Sequence, residues 1–158
     1  ILYFSRHMNF FKHYMDTLLK LCLEATRCNE IPVAALIVDP ITKKIIARSH
    51  NLSMKTKDPL AHAEILVIRK ALRKLKIKRL DGFDIYCSLE PCTMCAAAIA
   101  LSKIKNVYFC IEDKERGGLI NGGKLAFSNF LKYKFSLYYG FEEKKFSKVM
   151  KKFFKKKR

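Results

Sequence analysis

Three side chains in this sequence have the types and spacing of a metal site that keeps one position open. His62 begins the run His62-Ala63-Glu64, and further along Pro91-Cys92-Thr93-Met94-Cys95 offers two thiols at i and i+3. A solitary H-x-E says almost nothing, and a solitary C-x-x-C serves structural zinc or redox chemistry equally well, but the pair together is specific. Imidazole and thiolate are zinc ligands. Two cysteines in the first turn of a helix share one face, and the positive end of the helix dipole favours their thiolate forms. No fourth ligand is apparent, because Cys87 falls in the preceding strand pattern and Cys22, Cys28 and Cys110 belong to separate elements. Those four cysteines read as buried apolar residues, and His7, His13 and His50 have no metal role. Three protein donors leave a fourth position to water, whose pKa a zinc ion lowers from about 15.7 to about 7. Glu64, in the first turn of its helix, reaches that water and is the candidate for proton transfer.

The elements that must position these groups are legible as periodicity. Phe11, Met15, Leu18, Cys22 and Ala25 recur at helical spacing and predict a first helix from Asn9 to Cys28. Val33 to Val38 is almost wholly apolar, and Asp39-Pro40 turns the chain into Ile45 to Arg48, which predicts a hairpin. After a polar loop from Ser49 to Pro59, Ile65, Ile68, Leu72 and Leu75 mark a second helix with a basic outer side. Phe83, Ile85, Cys87 and Leu89 alternate with Asp84, Tyr86, Ser88 and Glu90 as a strand ended by Pro91. Cys92 to Leu101 reads as a buried helix, Val107 to Ile111 as a buried strand, Lys114 to Lys124 as a loop and Phe135 to Tyr139 as a last strand. Phe146, Val149, Met150, Phe153 and Phe154 form a final helical stripe, with Phe153 in the core. This order of elements predicts an α/β fold, a three-layer α/β/α sandwich on five strands.

Composition sets the bounds. A chain of 158 residues, 50% hydrophobic, is of single-domain size and can bury a core. The expected domain is 8–158, with Met8 a natural start and residues 1–7 an upstream extension or a remnant of expression. Lysine and arginine number 32 against 14 acidic residues, and the resulting +18 points to polyanionic partners or to biased codon usage. Nothing has the pattern of a secretory signal, so the cysteines suit a reducing cytoplasm. The purest apolar stretch, Ile31 to Val38, is far short of the roughly 20 residues that span a bilayer, so no membrane is expected.

The sequence resembles the bacterial tRNA-specific adenosine deaminases. Asp58-Pro59-Leu60-Ala61-His62-Ala63-Glu64-Ile65 and Ser88-Leu89-Glu90-Pro91-Cys92-Thr93-Met94-Cys95 are similar to that family's two blocks, H-x-E and P-C-x-x-C being the zinc-deaminase signature. The likeness runs across almost the whole chain. It implies a cytidine deaminase-like fold with a central mixed sheet, one Zn2+ per subunit held by His62, Cys92 and Cys95, and Glu64 as the catalytic acid and base. The implied reaction is hydrolytic conversion of adenosine to inosine at the wobble position of a tRNA anticodon stem-loop, by a cytoplasmic homodimer. Substrate contacts are implied at Asn51, Ala63, Leu89, Asp113 and Phe154, the last through stacking on an unpaired base. The sequence departs from the family at Ala34, where glycine is usual, and over Glu115 to Gly123. Two other readings stand beside this one: a metabolic deaminase of guanine, cytosine or a free nucleoside, and a nonenzymatic basic RNA-binding zinc protein, suggested by the lysines and aromatics between Lys144 and Arg158.

Overall fold

The computed structural model describes residues 2–129 and 131–157, with side chains from Asn9 onward. Its elements are α1 (Leu2–Arg27), β1 (Ala34–Val38), β2 (Ile45–His50), α2 (Ser53–Thr56), α3 (Ala63–Leu75), β3 (Asp84–Leu89), α4 (Thr93–Leu101), β4 (Asn106–Ile111), β5 (Ser136–Tyr139) and α5 (Glu143–Lys155). One mixed sheet runs in the order β2-β1-β3-β4-β5. β1 is antiparallel to both β2 and β3, whereas β3, β4 and β5 are parallel. Strand direction therefore reverses between β1 and β3, the kind of position where open α/β sheets place their ligands.

The period of two along each central strand separates two cores. Ala35, Ile37, Ile85, Cys87, Val107 and Phe109 face α3 and α4, where they meet Val67, Ala71, Ala96 and Ile99. Ala34, Leu36, Val38, Tyr86 and Cys110 face the other way, onto Tyr14, Met15, Leu18 and Cys22 of α1 and Phe146 of α5. Two helices on each side of the sheet, whose edge strand β5 stays largely exposed, make the expected sandwich, and small residues on α3 and α4 let those helices lie close to it. Ala34 fits without strain: it is fully buried and its N–H donates to Ser88 Oγ at 2.9 Å.

Three local expectations are corrected. α1 begins at Leu2 rather than near Asn9, because an apolar stripe marks where a helix meets its sheet and not where the helix starts; Leu2 to His7 continue that helix, while Ile1 lies outside the described residues. In β3, Asp84 to Ser88 are all buried. Its polar members are satisfied on the α1 side: Asp84 Oδ1 accepts from Asn106 Nδ2 at 2.7 Å, and the Tyr86 ring stacks on Tyr108 with centroids 4.3 Å apart. The loop after β2 contains the single turn α2. Cys28 is exposed rather than buried, because it follows the end of α1 where the chain turns away from the sheet.

Phe109 is the largest fully buried side chain, and it stacks on Tyr139 at 5.1 Å between centroids. Phe109→Ala is expected to lower the unfolding free energy by about 3–5 kcal/mol through lost burial and a residual cavity. Urea denaturation at fixed zinc concentration checks this, and a loss below about 1 kcal/mol would show that the neighbours collapse into the space.

Candidate metal centre

The reactive groups converge because two helices begin side by side at the C-terminal end of β3. His62 is the N-cap residue of α3 and Cys92 the N-cap residue of α4, both in extended backbone and neither using its side chain to cap its helix. N-cap positions ordinarily carry Ser, Thr, Asp or Asn for that purpose. Here the two side chains are left free to meet each other. Cys95, in the first turn of α4, is fully buried and completes the set.

His62 Nδ1 lies 3.6 Å from Cys92 Sγ and 3.6 Å from Cys95 Sγ. A tetrahedral zinc with Zn–S near 2.3 Å and Zn–N near 2.0–2.1 Å has N···S edges of about 3.6 Å, so the donors already stand at the corners such an ion requires. His62, Cys92 and Cys95 form one group whose ligand atoms lie within 4.8 Å of one another, and among the described residues no other His, Cys, Asp or Glu side chain joins it. The fit is to zinc with one position left open.

The electrostatics of the metal-free donors agree. The Cys92 thiol falls to about 4, chiefly because the Cys95 S–H bonds to its thiolate, with His62 adding a second bond and burial opposing both. The same thiolate raises His62, and Cys95 is pushed up by Cys92 and by burial. The three donors thus compete for protons around one sulfur, and a metal ion takes the place of such protons when it binds. Glu64 stands in the first turn of α3, only 3% exposed, with Oε2 buried and unpartnered among the described residues. Burial pushes its carboxyl up from 4.5 to about 7. An oxygen in that position can hold a proton at neutral pH or give it up, which suits acid-base exchange with a molecule beside the metal.

The remaining predicted residues surround this centre at unequal distances. Asn51 follows β2 and is buried; its amide nitrogen donates to Glu30 Oε2 at 2.9 Å and to Ser53 Oγ at 2.8 Å, leaving Oδ1 as the free end. The bond from Leu52 N to Ala61 O, 3.0 Å, ties that segment to the residue before His62. Ala63 opens α3, so its N–H points out of the helix end. Leu89 ends β3 and is half-buried. Asp113 lies beyond β4, where its Oδ1 accepts from Glu115 N and Arg116 N at 3.1 and 2.9 Å, so the side chain shapes its own loop. Phe154 is 47% exposed near the end of α5, with its ring edge-on to Phe153. None of the hydrogen bonds or ring contacts of Asp113 and Phe154 reaches the metal ligands.

Two buried acids escaped the sequence reading. Glu30, fully buried, accepts from Met54 N and Lys55 N as well as from Asn51. Glu90, also buried, accepts several loop N–H groups; burial alone would raise its carboxyl, but the bonds from Asn121, Ile120 and Asp113 leave it lowered. Nothing in their spacing separates such carboxylates from solvated ones, although Glu30 does stand alone in the short connection between a helix and an apolar strand.

Comparison with known proteins agrees with this geometry. Residues 8–111 match the model of the cytidine and deoxycytidylate deaminase zinc-binding region. The chain is 39% identical to a tRNA-specific adenosine deaminase of Rickettsia felis over 80% of its own length and 88% of that protein. It is 37% identical to one of Aquifex aeolicus over 92% and 94% of the two chains. A solved structure from a study of A-to-I editing by tRNA:A34 deaminases at the wobble position of transfer RNA superposes with a TM-score of 0.84 at 35% identity, covering 87% of this chain and 99% of that one. A guanine deaminase from Nitrosomonas europaea shares the fold at TM-score 0.78 and 20% identity, over 89% and 82% of the chains.

The buried carboxyl makes a sign-specific prediction for the metal-free protein. Below about pH 4.5 Glu64 is neutral whether the chain is folded or not; as pH rises to about 7 the unfolded chain ionises first and gains on the folded one. Metal-free wild type should therefore lose stability across that window relative to metal-free Glu64→Gln, by roughly 3 kcal/mol at full development. Paired melting curves from pH 4.5 to 8 read this difference, and a gap that stays constant with pH would contradict it.

Proposed function

This chain belongs to the deaminase family that shares the zinc-binding region of the cytidine and deoxycytidylate deaminases, and within it to the tRNA-specific adenosine deaminases; from that premise we propose that it hydrolyses adenosine to inosine in tRNA, at the wobble position of the anticodon. The observation that carries the reading is the His62, Cys92 and Cys95 triad at tetrahedral edge lengths with the unpartnered Glu64 Oε2 buried beside it. Zinc held there supplies a Lewis acid that makes a nucleophilic water available at neutral pH. His62, Cys92 and Cys95 hold the ion. Glu64 would take one proton from the water that adds to C6 and deliver it to adenine N1, then carry the remaining proton of the new C6 hydroxyl to the exocyclic nitrogen, so that the C6–N bond breaks, C6=O forms and ammonia leaves. Its burial, which raises the carboxyl in the metal-free protein, keeps the group out of bulk water and suits it to pass protons within one turnover.

Substrate contacts are assigned to Asn51 through its Oδ1, which accepts from a ribose hydroxyl or an N–H, to the backbone N–H of Ala63 at the start of α3, and to Leu89 as an apolar wall. Asp113, in the loop after β4, and Phe154, near the end of α5, are assigned to contacts beyond the target base, since an exposed ring can stack on an unpaired base. A cleft of about 510 Å³ between the ends of α1 and α5 is lined by Arg27, Lys152, Lys156 and Lys157. Those cations support the anticodon stem-loop as partner, since phosphate contacts dominate affinity for nucleic acid. Exposed Met54 and Leu60 beside the site are surface that a second copy would cover, in keeping with a homodimer. A cytoplasmic location fits a tRNA substrate, and among the described residues no helix is long and apolar enough to cross a membrane.

The decisive assay is inosine formation in an anticodon stem-loop RNA. Wild type should convert the wobble adenosine, and Glu64→Ala should lose about 10²- to 10⁴-fold in rate while retaining zinc. Ammonia release from guanine, cytosine or free nucleosides, with none from the RNA, would transfer the chemistry to a metabolic substrate. Asn51→Ala tests the substrate side separately: a higher KM with zinc content unchanged is expected, and an unaltered KM would remove Asn51 from the binding site.

A further inference from the structure

Glu90 immediately precedes Pro91-Cys92 and is 2% exposed, yet neither the metal chemistry nor the substrate contacts employ it. Its Oε1 accepts the backbone N–H groups of Leu119, Ile120 and Asn121 at 3.0, 2.9 and 3.0 Å. Its Oε2 accepts Asp113 N at 3.1 Å and Asn121 Nδ2 at 2.7 Å. One carboxylate thus joins the start of the loop after β4 to its return, and residues 113–121 close around it. This is the segment in which the sequence departs from its family.

The closed loop presses on the backbone of a metal ligand. Gly118 N donates to Pro91 O at 2.8 Å, and Gly117 forms an antiparallel bridge with Cys92. Both glycines are required by proximity: a Cβ on Gly117 would overlap the Glu90 carboxylate and Asp113 O, and one on Gly118 would overlap Thr93 N and the Cys92 carbonyl carbon. Leu119, fully buried in the main core, anchors the far side of the contact. The start of α4 is therefore held from outside the helix, by a loop whose shape depends on a single anion.

We propose that Glu90 is a positioning residue for Cys92: by gathering five N–H groups it folds residues 113–121 into a brace that fixes the first turn of α4 and the direction of Cys92 Sγ. The inference rests on His62, Cys92 and Cys95 being the zinc ligands, and not on which nucleobase is deaminated. Glu90→Gln keeps the size of the side chain but replaces one acceptor oxygen with a donor, so that at least two of the N–H groups lose their partner whichever way the amide turns.

Zinc competition against a chromophoric chelator, at a temperature where circular dichroism shows the variant folded, should give a dissociation constant about tenfold higher or more for Glu90→Gln. The visible absorption of the cobalt(II)-substituted protein should shift as thiolate ligation distorts. Gly118→Ala, which pushes on Cys92 from the other side of the brace, should weaken zinc in the same way. In the inosine assay kcat should fall while KM for the stem-loop holds. A Glu90→Gln protein that melts earlier but binds zinc with unchanged affinity and an unchanged cobalt spectrum would make the residue merely structural and overturn the proposal. So would a raised KM with zinc affinity intact. Should Glu90→Gln not fold, Asn121→Ala removes one donor side chain and carries the same measurement; wild-type zinc affinity in both Asn121→Ala and Gly118→Ala would then sink it. Because the zinc titration needs no turnover, a failure of wild type to form inosine counts against the proposed function and leaves this result standing.

Discussion

The meeting of two helix beginnings within the radius of one metal ion is the constraint from which the rest of the structure follows. His62 and Cys92 both sit where extended chain enters a helix, so small changes in the direction of either helix swing a ligand by ångströms. Each N···S separation of 3.6 Å therefore depends on α3 and α4 lying against the same face of the sheet at a fixed spacing. That spacing is set by packing: Ala63, Ala71 and Ala96 are fully buried small residues, and Val67 and Ile99 fill the space between helix and strand. The positive ends of both helices then point at the donors and favour the anionic sulfur. Core and catalytic centre are one problem here, because repacking the first moves the second.

Buried carboxylates serve three different ends around this centre. Glu30 and Glu90 are structural groups, Glu30 accepting from the backbone N–H groups of Met54 and Lys55 in α2 and Glu90 from those of the loop after β4. Burying a charge is costly unless hydrogen bonds replace the lost water, and in both cases they do. Glu30 organises α2 and turns the Asn51 amide so that its oxygen faces outward; Glu90 organises the loop that leans on Cys92. Glu64 is the contrast, since its Oε2 has no donor and its carboxyl is pushed up instead. A side chain supplied with partners is fixed in one protonation state, and one deprived of them is kept changeable. The same residue type thus makes scaffold or catalyst according to how many N–H groups surround it.

Much of this was legible in the residues alone. The ligand set and Glu64 were readable because their chemistry demands particular types at particular spacings, and the strands because β1 and β4 are apolar runs and β3 alternates with a strand's period of two. The burial of the polar half of β3 could not be read from its alternation, because Asp84 and Ser88 are satisfied by Asn106 and by the backbone N–H of Ala34. The start of α1 was hidden because helical residues beyond the sheet need no apolar stripe. Cys28 was misplaced because composition cannot tell the last buried turn of a helix from the turn after it. Glu30 and Glu90 were missed for the same underlying reason as β3: their partners are backbone N–H groups, which every residue but proline has and which leave no mark in a sequence.

The excess of positive charge then has a definite relation to the acidic interior. The chain carries +18, and among the described residues only Lys12–Asp16, Arg79–Asp81 and Lys145–Glu142 form ion pairs, all of them exposed. Most of the lysines are therefore uncompensated, and their summed field reaches about a Debye length, near 8 Å at physiological salt, into the solvent. An approaching polyanion meets that field first. The carboxylates of Glu30 and Glu90 would oppose it if they were exposed, but each is enclosed by N–H dipoles, and Glu64 is held near neutrality by its own burial. The acidic side chains that shape the loops are thus held inside by N–H donors, and the surface an approaching polyanion touches is left to the lysines.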